Sequence, residues 1–182
     1  MKRLCMWVLA AVAFMAMPSV ISAQEVTPQE EDLRPYNAVA DTIARAITEE
    51  LPEWKRSSVP PVHQDGPYYS SHEVVIDQWW SNEGGVRVAI LFHPSEMDAK
   101  DNFEKFVADA KAGEYVPDVD AEAHAWGLNK SIVLRSGSHT VYVSSVTTNF
   151  SEEDRASGKT SEDEARLSKM FAKIVAKALK GT

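Results

Sequence analysis

The sequence predicts an α+β fold, in which an antiparallel β-sheet carries three amphipathic helices packed on it. Segments that alternate apolar with polar residues are joined by short turns rich in glycine, serine and asparagine. Three longer segments repeat apolar residues at every third or fourth position. Strands joined by hairpins pair antiparallel, and a helix with one apolar stripe must bury that stripe on the sheet. We expect a single domain over residues 35–182.

The first 23 residues have the pattern of a secretory signal peptide. Lys2 and Arg3 precede an uncharged apolar run, Leu4–Met17, and small residues follow it as far as Ala23. This run is too short to span a bilayer, which takes about 20 residues. We therefore expect cleavage after Ala23 and a periplasmic or secreted bacterial protein. Residues 24–34 are rich in carboxylates and are expected to form a disordered lead-in.

Removal of this leader changes the net charge and the cysteine content of the chain, and both properties exclude classes of function. The chain of 182 residues has a formal net charge of −8, and the loss of Lys2 and Arg3 takes it to −10. Cys5, the only cysteine, would leave as well, which excludes disulfides, thiolate catalysis and cysteine metal ligands. A chain this acidic opposes general nucleic-acid binding, and we expect no stable membrane insertion after cleavage.

The first half is predicted to form a helix, a loop, a hairpin and a second helix. Pro52 ends the first helix, and Ser81–Gly85 supplies the residues that a tight hairpin needs. The predicted elements are a helix over Pro35–Leu51, a loop over Ser57–Pro67, strands over Glu73–Trp80 and Val86–His93, and a helix capped by Ser95.

The second half repeats this pattern and ends in a long helix. Ser161, with Glu164 three residues later, fits a capping box at the start of that helix. The similar order of elements in the two halves is also compatible with a degenerate duplication of one strand-strand-helix unit. The predicted elements are strands over Ala121–Gly127, Ser131–Arg135 and His139–Thr148, a polar loop over Asn149–Thr160, and the terminal helix.

One stretch of the second half carries a family resemblance. Trp126-Gly127, the run from Ile132 to Gly137, the run Val141–Val143 and a terminal amphipathic helix follow one another. In this spacing the chain resembles the C-terminal half of small exported bacterial domains with a PsbP/Mog1-like α+β architecture. The resemblance implies a fold and no chemistry.

An aromatic cluster is the strongest candidate for a binding site. Trp79 and Trp80 are adjacent in a predicted strand, so their side chains point to opposite faces of the sheet. A helix on each face, or the loop with Tyr68 and Tyr69, would cover both rings. Alternatively, one tryptophan lines a groove for a small apolar ligand, a glycan or a protein partner. The candidate ligand-binding residues are Tyr68, Tyr69, Trp79, Trp80 and Trp126.

Other patterns favour surface roles over chemistry. The histidines lack the spacing of a metal motif such as H-E-x-x-H, and Ser138 lies in a predicted hairpin tip, so no catalytic residue, metal or cofactor is predicted. A competing interpretation is a metal-dependent factor or hydrolase using His72, His124, His139 and nearby carboxylates. Four lysines line one side of the terminal helix, where their positive charges interact favourably with the negative C-terminal end of the helix dipole. The alternative is a helix that faces a membrane. These lysines are Lys169, Lys173, Lys177 and Lys180.

The leading functional hypothesis is an exported non-enzymatic domain that binds a protein partner or small ligand through one sheet face and adjoining loops. The predicted loops Ser57–Pro67 and Asn149–Thr160 would form the rim of this site. A structural envelope-maintenance protein is a third possibility.

Overall fold

The computed structural model describes residues 34–63, 73–127, 130–148 and 151–181. It contains a six-stranded antiparallel sheet with helices packed against it, which confirms the predicted α+β class. The elements, in chain order, are α1 (Arg34–Glu50), β1 (Lys55–His63), β2 (Glu73–Trp80), β3 (Gly84–Phe92), α2 (Glu96–Asp109), β4 (Glu122–Trp126), β5 (Ser131–Ser136), β6 (His139–Thr147), α3 (Glu152–Ala156) and α4 (Lys159–Leu179).

The sheet is built from two three-stranded meanders joined side by side. Its strand order is β1-β2-β3-β6-β5-β4. The last strands of the two meanders, β3 and β6, therefore pair with each other at the centre of the sheet. Every pairing is antiparallel. The helices that follow the two meanders pack on opposite faces of the sheet, so the two halves are not covered in the same way.

The first face of the sheet, covered by α1 and α4, holds the larger core. Alternation along β2 and β3 sends one set of apolar side chains to this face, where they meet the stripes of both helices. Phe171 of α4 lies at the centre, with its ring 4.8 Å from the ring of Trp54 and 6.2 Å from that of Trp79. This face therefore accounts for most of the buried apolar area.

The second face of the sheet is covered by α2 along β5 and β6. Phe103 and Phe106 of this helix pack with Val133 and Tyr142, and the rings of Phe106 and Tyr142 are 4.8 Å apart. Ser95 caps α2 as predicted, because its side chain accepts a hydrogen bond from the backbone N–H of Asp98.

The predicted loop over Ser57–Pro67 is wrong in its first part, because residues 55–63 form strand β1. The prediction rested on Pro60 and Pro61, which lack a backbone N–H. Both prolines fall where the register of β1 against β2 shifts, between Val59 and Val62, and β1 is an edge strand. Edge strands and bulges are where a sheet tolerates proline.

The predicted loop over Asn149–Thr160 is also wrong in part. Ser151 accepts a hydrogen bond from the backbone N–H of Asp154 and so caps the short helix α3. Gly158, at a φ of 81°, then turns the chain into α4, which begins at Lys159 and not after Ser161. The predicted capping box is therefore absent.

Three of the four lysines in the predicted row along the terminal helix form ion pairs with carboxylates elsewhere in the domain; the last of the four, Lys180, directly follows the end of α4. These pairs favour a surface role for the lysines over contact with a membrane. Within the described ranges, no helix is long and apolar enough to cross a bilayer. The pairs are Lys169 with Asp118, Lys177 with Glu50, and Lys180 with Asp120.

Candidate functional site

The two adjacent tryptophans of β2 lie on opposite faces of the sheet, as predicted, and in contrasting surroundings. Trp79 points to the first face, is 1% exposed and packs against Phe171. Trp80 points to the second face at the end of the strand and is 49% exposed. Of the two rings, only that of Trp80 is accessible to a ligand.

A glycine on the neighbouring strand supports the ring of Trp80. Gly85 is its cross-strand partner, and a Cβ atom added to this glycine would lie within 3.0 Å of three atoms of the six-membered indole ring. The ring therefore occupies the space above a residue that has no side chain, and Gly85 is buried beneath it. One side of the indole rests on the sheet while the rest meets solvent.

The hairpin that follows Trp80 is held in place by the last residues of β6 and the loop after it. Thr147 and Thr148 donate side-chain hydrogen bonds to the backbone carbonyls of Glu83 and Asn82, over 3.2 Å and 2.7 Å. The backbone N–H of Thr148 also donates to Glu83, over 3.1 Å. These bonds fix the end of β2 that carries Trp80.

Polar and apolar side chains of three strands surround the ring on one side. The register places Gln78, Arg87 and Ser144 in one cross-strand row beside it, and Val146, which is 47% exposed, lies opposite Gly85. They border a shallow depression of about 220 Å³. We call this surface the Trp80 patch; its members are Gln78, Trp80, Gly85, Arg87, Ser144 and Val146.

A second depression, of about 550 Å³, lies on the other side of the ring. It is bordered by Glu53, Lys55 and the hairpin residues Ser81, Asn82 and Glu83. Two carboxylates and one ammonium group face this side, whereas the Trp80 patch holds one guanidinium and no carboxylate. The ring thus separates two surfaces of different charge.

The structure does not bring the predicted aromatic cluster together. Trp126 shares the second face with Trp80, but it lies on β4, four strand spacings or about 19 Å across the sheet. Its ring packs on Phe106, with centroids 5.3 Å apart. Tyr68 and Tyr69 lie outside the described residues.

The histidines of the competing metal hypothesis are separated by the sheet. His124 faces the second side, where its ring meets Phe103, whereas His139 faces the first side, where its ring meets Phe92. Burial lowers the pKa of His139. In the described part of the chain, no three histidine, cysteine or acidic side chains are placed to share a metal ion, and His72 falls outside it.

A buried ion pair lies on the first face, beneath α1. Asp77, which is 2% exposed, accepts a bond of 2.9 Å from the guanidinium of Arg56 on β1, and Arg56 also binds Asp41 of α1 over 2.9 Å. Burial raises the pKa of Asp77, and the hydrogen bond from Arg56 offsets only part of this effect. The pair ties the edge strand and α1 to the sheet, so we assign it a structural role.

The polar members of the Trp80 patch were not predicted from the sequence. Alternation along β3 predicts that Arg87 lies on the opposite face of the sheet from Val86 and Val88. It does not predict whether that face is the one that carries Trp79 or the one that carries Trp80. Only the register between β2 and β3, which pairs Gln78 with Arg87, puts the guanidinium beside Trp80.

Comparison with known proteins finds no matching family model, no matching curated protein and no matching solved structure. Support for a function therefore comes from this chain's own residues.

Proposed function

We propose that this protein is an exported, non-enzymatic binding domain whose ligand lies on the Trp80 patch. The observation that carries the proposal is the half-exposed indole of Trp80, held flat over Gly85 at a fixed end of the sheet. A large rigid ring that offers apolar area to solvent is typical of binding sites. Rigid β-strands position such a group more accurately than loops do.

The side chains beside the ring favour binding over catalysis. Gln78 and Ser144 offer hydrogen-bond donors and acceptors, and Arg87 offers a permanent positive charge. None of the three is a histidine, a carboxylic acid or a cysteine, the side chains that most often act as a general acid or base. The patch thus supplies orientation and affinity without a general acid or base.

A fragment screen tests where small molecules bind and does not require the natural ligand. We expect small polar and aromatic fragments to shift the NMR signals of the Trp80 indole, Arg87 and Val146 together, because binding energy concentrates at such exposed rigid anchors. These shifts should vanish in Trp80→Ala. Tyr115, which is 54% exposed on a different surface, provides the matched control. Fragments that bind the Tyr115→Ala and Trp80→Ala variants equally well would contradict the proposed site.

Export is tested by the mass and location of the expressed chain. In a Gram-negative host, the C-terminally tagged protein is expected in the periplasm or medium, with a mass corresponding to a chain that starts at Gln24. Val12→Arg interrupts the apolar run and should leave the full-length chain inside the cell. Recovery of full-length protein from the cytoplasm of cells that carry the unaltered sequence would overturn this part of the proposal.

A further inference from the structure

We infer that the ligand of the Trp80 patch is an acidic oligosaccharide, with one sugar ring stacked on Trp80 and a carboxylate paired with Arg87. This inference rests on the proposed function and specifies its ligand class. It is supported by three features of the second face: the charge of the patch, the shape of its aromatic surface, and the pairing of the strands beneath it on both sides.

The charge of the patch differs from that of the rest of the domain. Three arginines lie on the sheet, and two of them pair with carboxylates: Arg56 with Asp77 and Arg135 with Glu122. Arg87 is exposed and has no ion-pair partner among the residues that the structure describes. In a chain with a net charge of −8, an arginine left unpaired within an uncharged row of side chains favours an anionic ligand group.

The guanidinium of Arg87 has the geometry to bind a carboxylate. Its planar fork of N–H groups can make two parallel hydrogen bonds to the two oxygens of a carboxylate. On the other side of Trp80, the second depression offers no guanidinium: its carboxylates are Glu53 and Glu83, and Glu83 is already paired with Arg166. The acidic part of the ligand therefore lies on the side of the indole where Arg87 is found.

The aromatic surface suits a flat ring with C–H groups on one face. The indole of Trp80 lies along the sheet and Val146 continues its apolar surface, while Gln78 and Ser144 border it with polar groups. A sugar ring has the matching distribution, because its C–H groups project from its faces and its hydroxyls from its edge. Stacking would remove apolar area from water while the hydroxyls reach the amide and the hydroxyl.

The backbone beneath the patch does not favour a peptide ligand. A peptide that adds to a sheet needs a free strand edge. The patch lies on β2, β3 and β6, and each of these strands is paired on both sides. Recognition there has to come from side chains alone, which suits a ligand that offers many hydroxyl groups.

The open part of the row is wider than a single sugar. From Gln78 it runs through Arg87 to Ser144, across three adjacent strands, and the next residue of the row, Ser131, is buried. Two strand spacings correspond to about 10 Å. No carboxylate lies in the open part of the row, so an oligomer makes contacts that a monosaccharide cannot.

Calorimetric titration with a hexamer of galacturonic acid tests the inference, with its carboxyl-reduced neutral hexamer as the comparison. We expect saturable binding of the acidic hexamer and binding about tenfold weaker for the neutral one, because a charge-assisted hydrogen bond is lost. Arg87→Gln should weaken binding of the acidic hexamer by a similar factor, and Trp80→Ala should abolish the change in indole fluorescence. Arg45→Gln removes an exposed arginine of α1 and should have no effect.

A second variant keeps the indole and changes only its position. Gly85→Ala places a Cβ atom where the ring now lies and forces the ring to move. We expect weaker binding of the acidic hexamer with an unchanged circular dichroism spectrum. Unchanged affinity in this variant would contradict stacking on Trp80.

Other results separate the inference from the proposed function. Equal binding of the neutral hexamer would overturn the acidic ligand and leave a binding site at Trp80. Equal binding of a polyglutamate peptide of the same charge would overturn the sugar. If sedimentation shows a dimer that Trp80→Ala dissociates, the occupant is a second copy of this chain. Failure of both hexamers, with fragments still shifting the Trp80 signals, would overturn the sugar and retain the site.

Discussion

Replacing Arg56 by methionine is expected to destabilise the domain by about 3 kcal/mol, because it leaves the carboxylate of Asp77 buried without its partner. Methionine keeps the length and apolar stem of the side chain, so the change removes mainly the charge and the hydrogen bonds. We place the cost at the lower end of the range for buried pairs since the side chain of Arg56 is 27% exposed. Urea denaturation at pH 7 measures it.

The cost of Arg56→Met should depend on pH in a defined direction. Burial raises the pKa of Asp77 in the folded protein above its value in the unfolded chain, which is about 3.9. The folded state then binds the proton more tightly, so stability from this group is lost as the pH rises through the folded pKa. Without Arg56 only burial and the negative charge of Asp41 act on Asp77, and because both raise its pKa, the pKa rises further. The difference between wild type and variant is therefore largest near pH 7 and shrinks towards pH 4.

Arg135→Met is the matched control for this prediction. Arg135 is also a strand arginine in an ion pair of 2.9 Å, but its one partner, Glu122, is 39% exposed, whereas Arg56 binds the buried Asp77 as well as the exposed Asp41. An ion pair that reaches solvent contributes under about 1 kcal/mol. Equal losses of stability in the two variants, or a loss in Arg56→Met that does not change with pH, would show that the buried carboxylate of Asp77 does not cause the destabilisation.

Replacing the two adjacent tryptophans by alanine should have very different effects on stability. Trp79→Ala removes a buried ring that packs against Phe171 and is expected to cost about 3–5 kcal/mol, since the core cannot close over so large a cavity. Trp80→Ala removes a half-exposed ring and should cost about 1 kcal/mol, the range of a cross-strand contact. Thermal and urea unfolding of both variants provide the comparison.

Trp79→Phe tests whether the stability lost in Trp79→Ala comes from the loss of an aromatic ring in the core. It retains an aromatic ring against Phe171 and should recover most of the stability lost in Trp79→Ala. If Trp80→Ala were as costly as Trp79→Ala, Trp80 would be a structural residue and the proposed binding site would lose its main support. A small cost at Trp80 would mean that its contact with Gly85 contributes little to stability.

Local patterns predicted most of the elements because helices and strands leave a periodic record in the sequence. The stripe on α4 and the alternation in β2, β3 and β6 each state which residues are buried together. The errors fell where local chemistry and tertiary context disagree. Pro60 and Pro61 argue against a strand in isolation, but a bulge in an edge strand accommodates both. Ser161 has the residue type of a cap, but the turn at Gly158 starts the helix before it.

The candidate site was predictable only in part. Adjacency in a strand was enough to predict that Trp79 and Trp80 face opposite ways. Nothing local states that α2 covers β5 and β6 and leaves the Trp80 end of the second face open. In the same way, the distance between Trp126 and Trp80 follows from a strand order that joins distant parts of the chain.

By itself, the sequence determined the class of the fold, the faces of its strands and helices, and the charge of the protein. These properties depend on residues within a few positions of one another, where backbone geometry fixes which side chains share a side. Only the tertiary structure decided that Arg87, Gln78 and Ser144 stand beside Trp80, and that Asp77 meets Arg56. Register and helix placement are set by contacts between distant segments, and a one-residue shift in pairing would move every side chain to the other face.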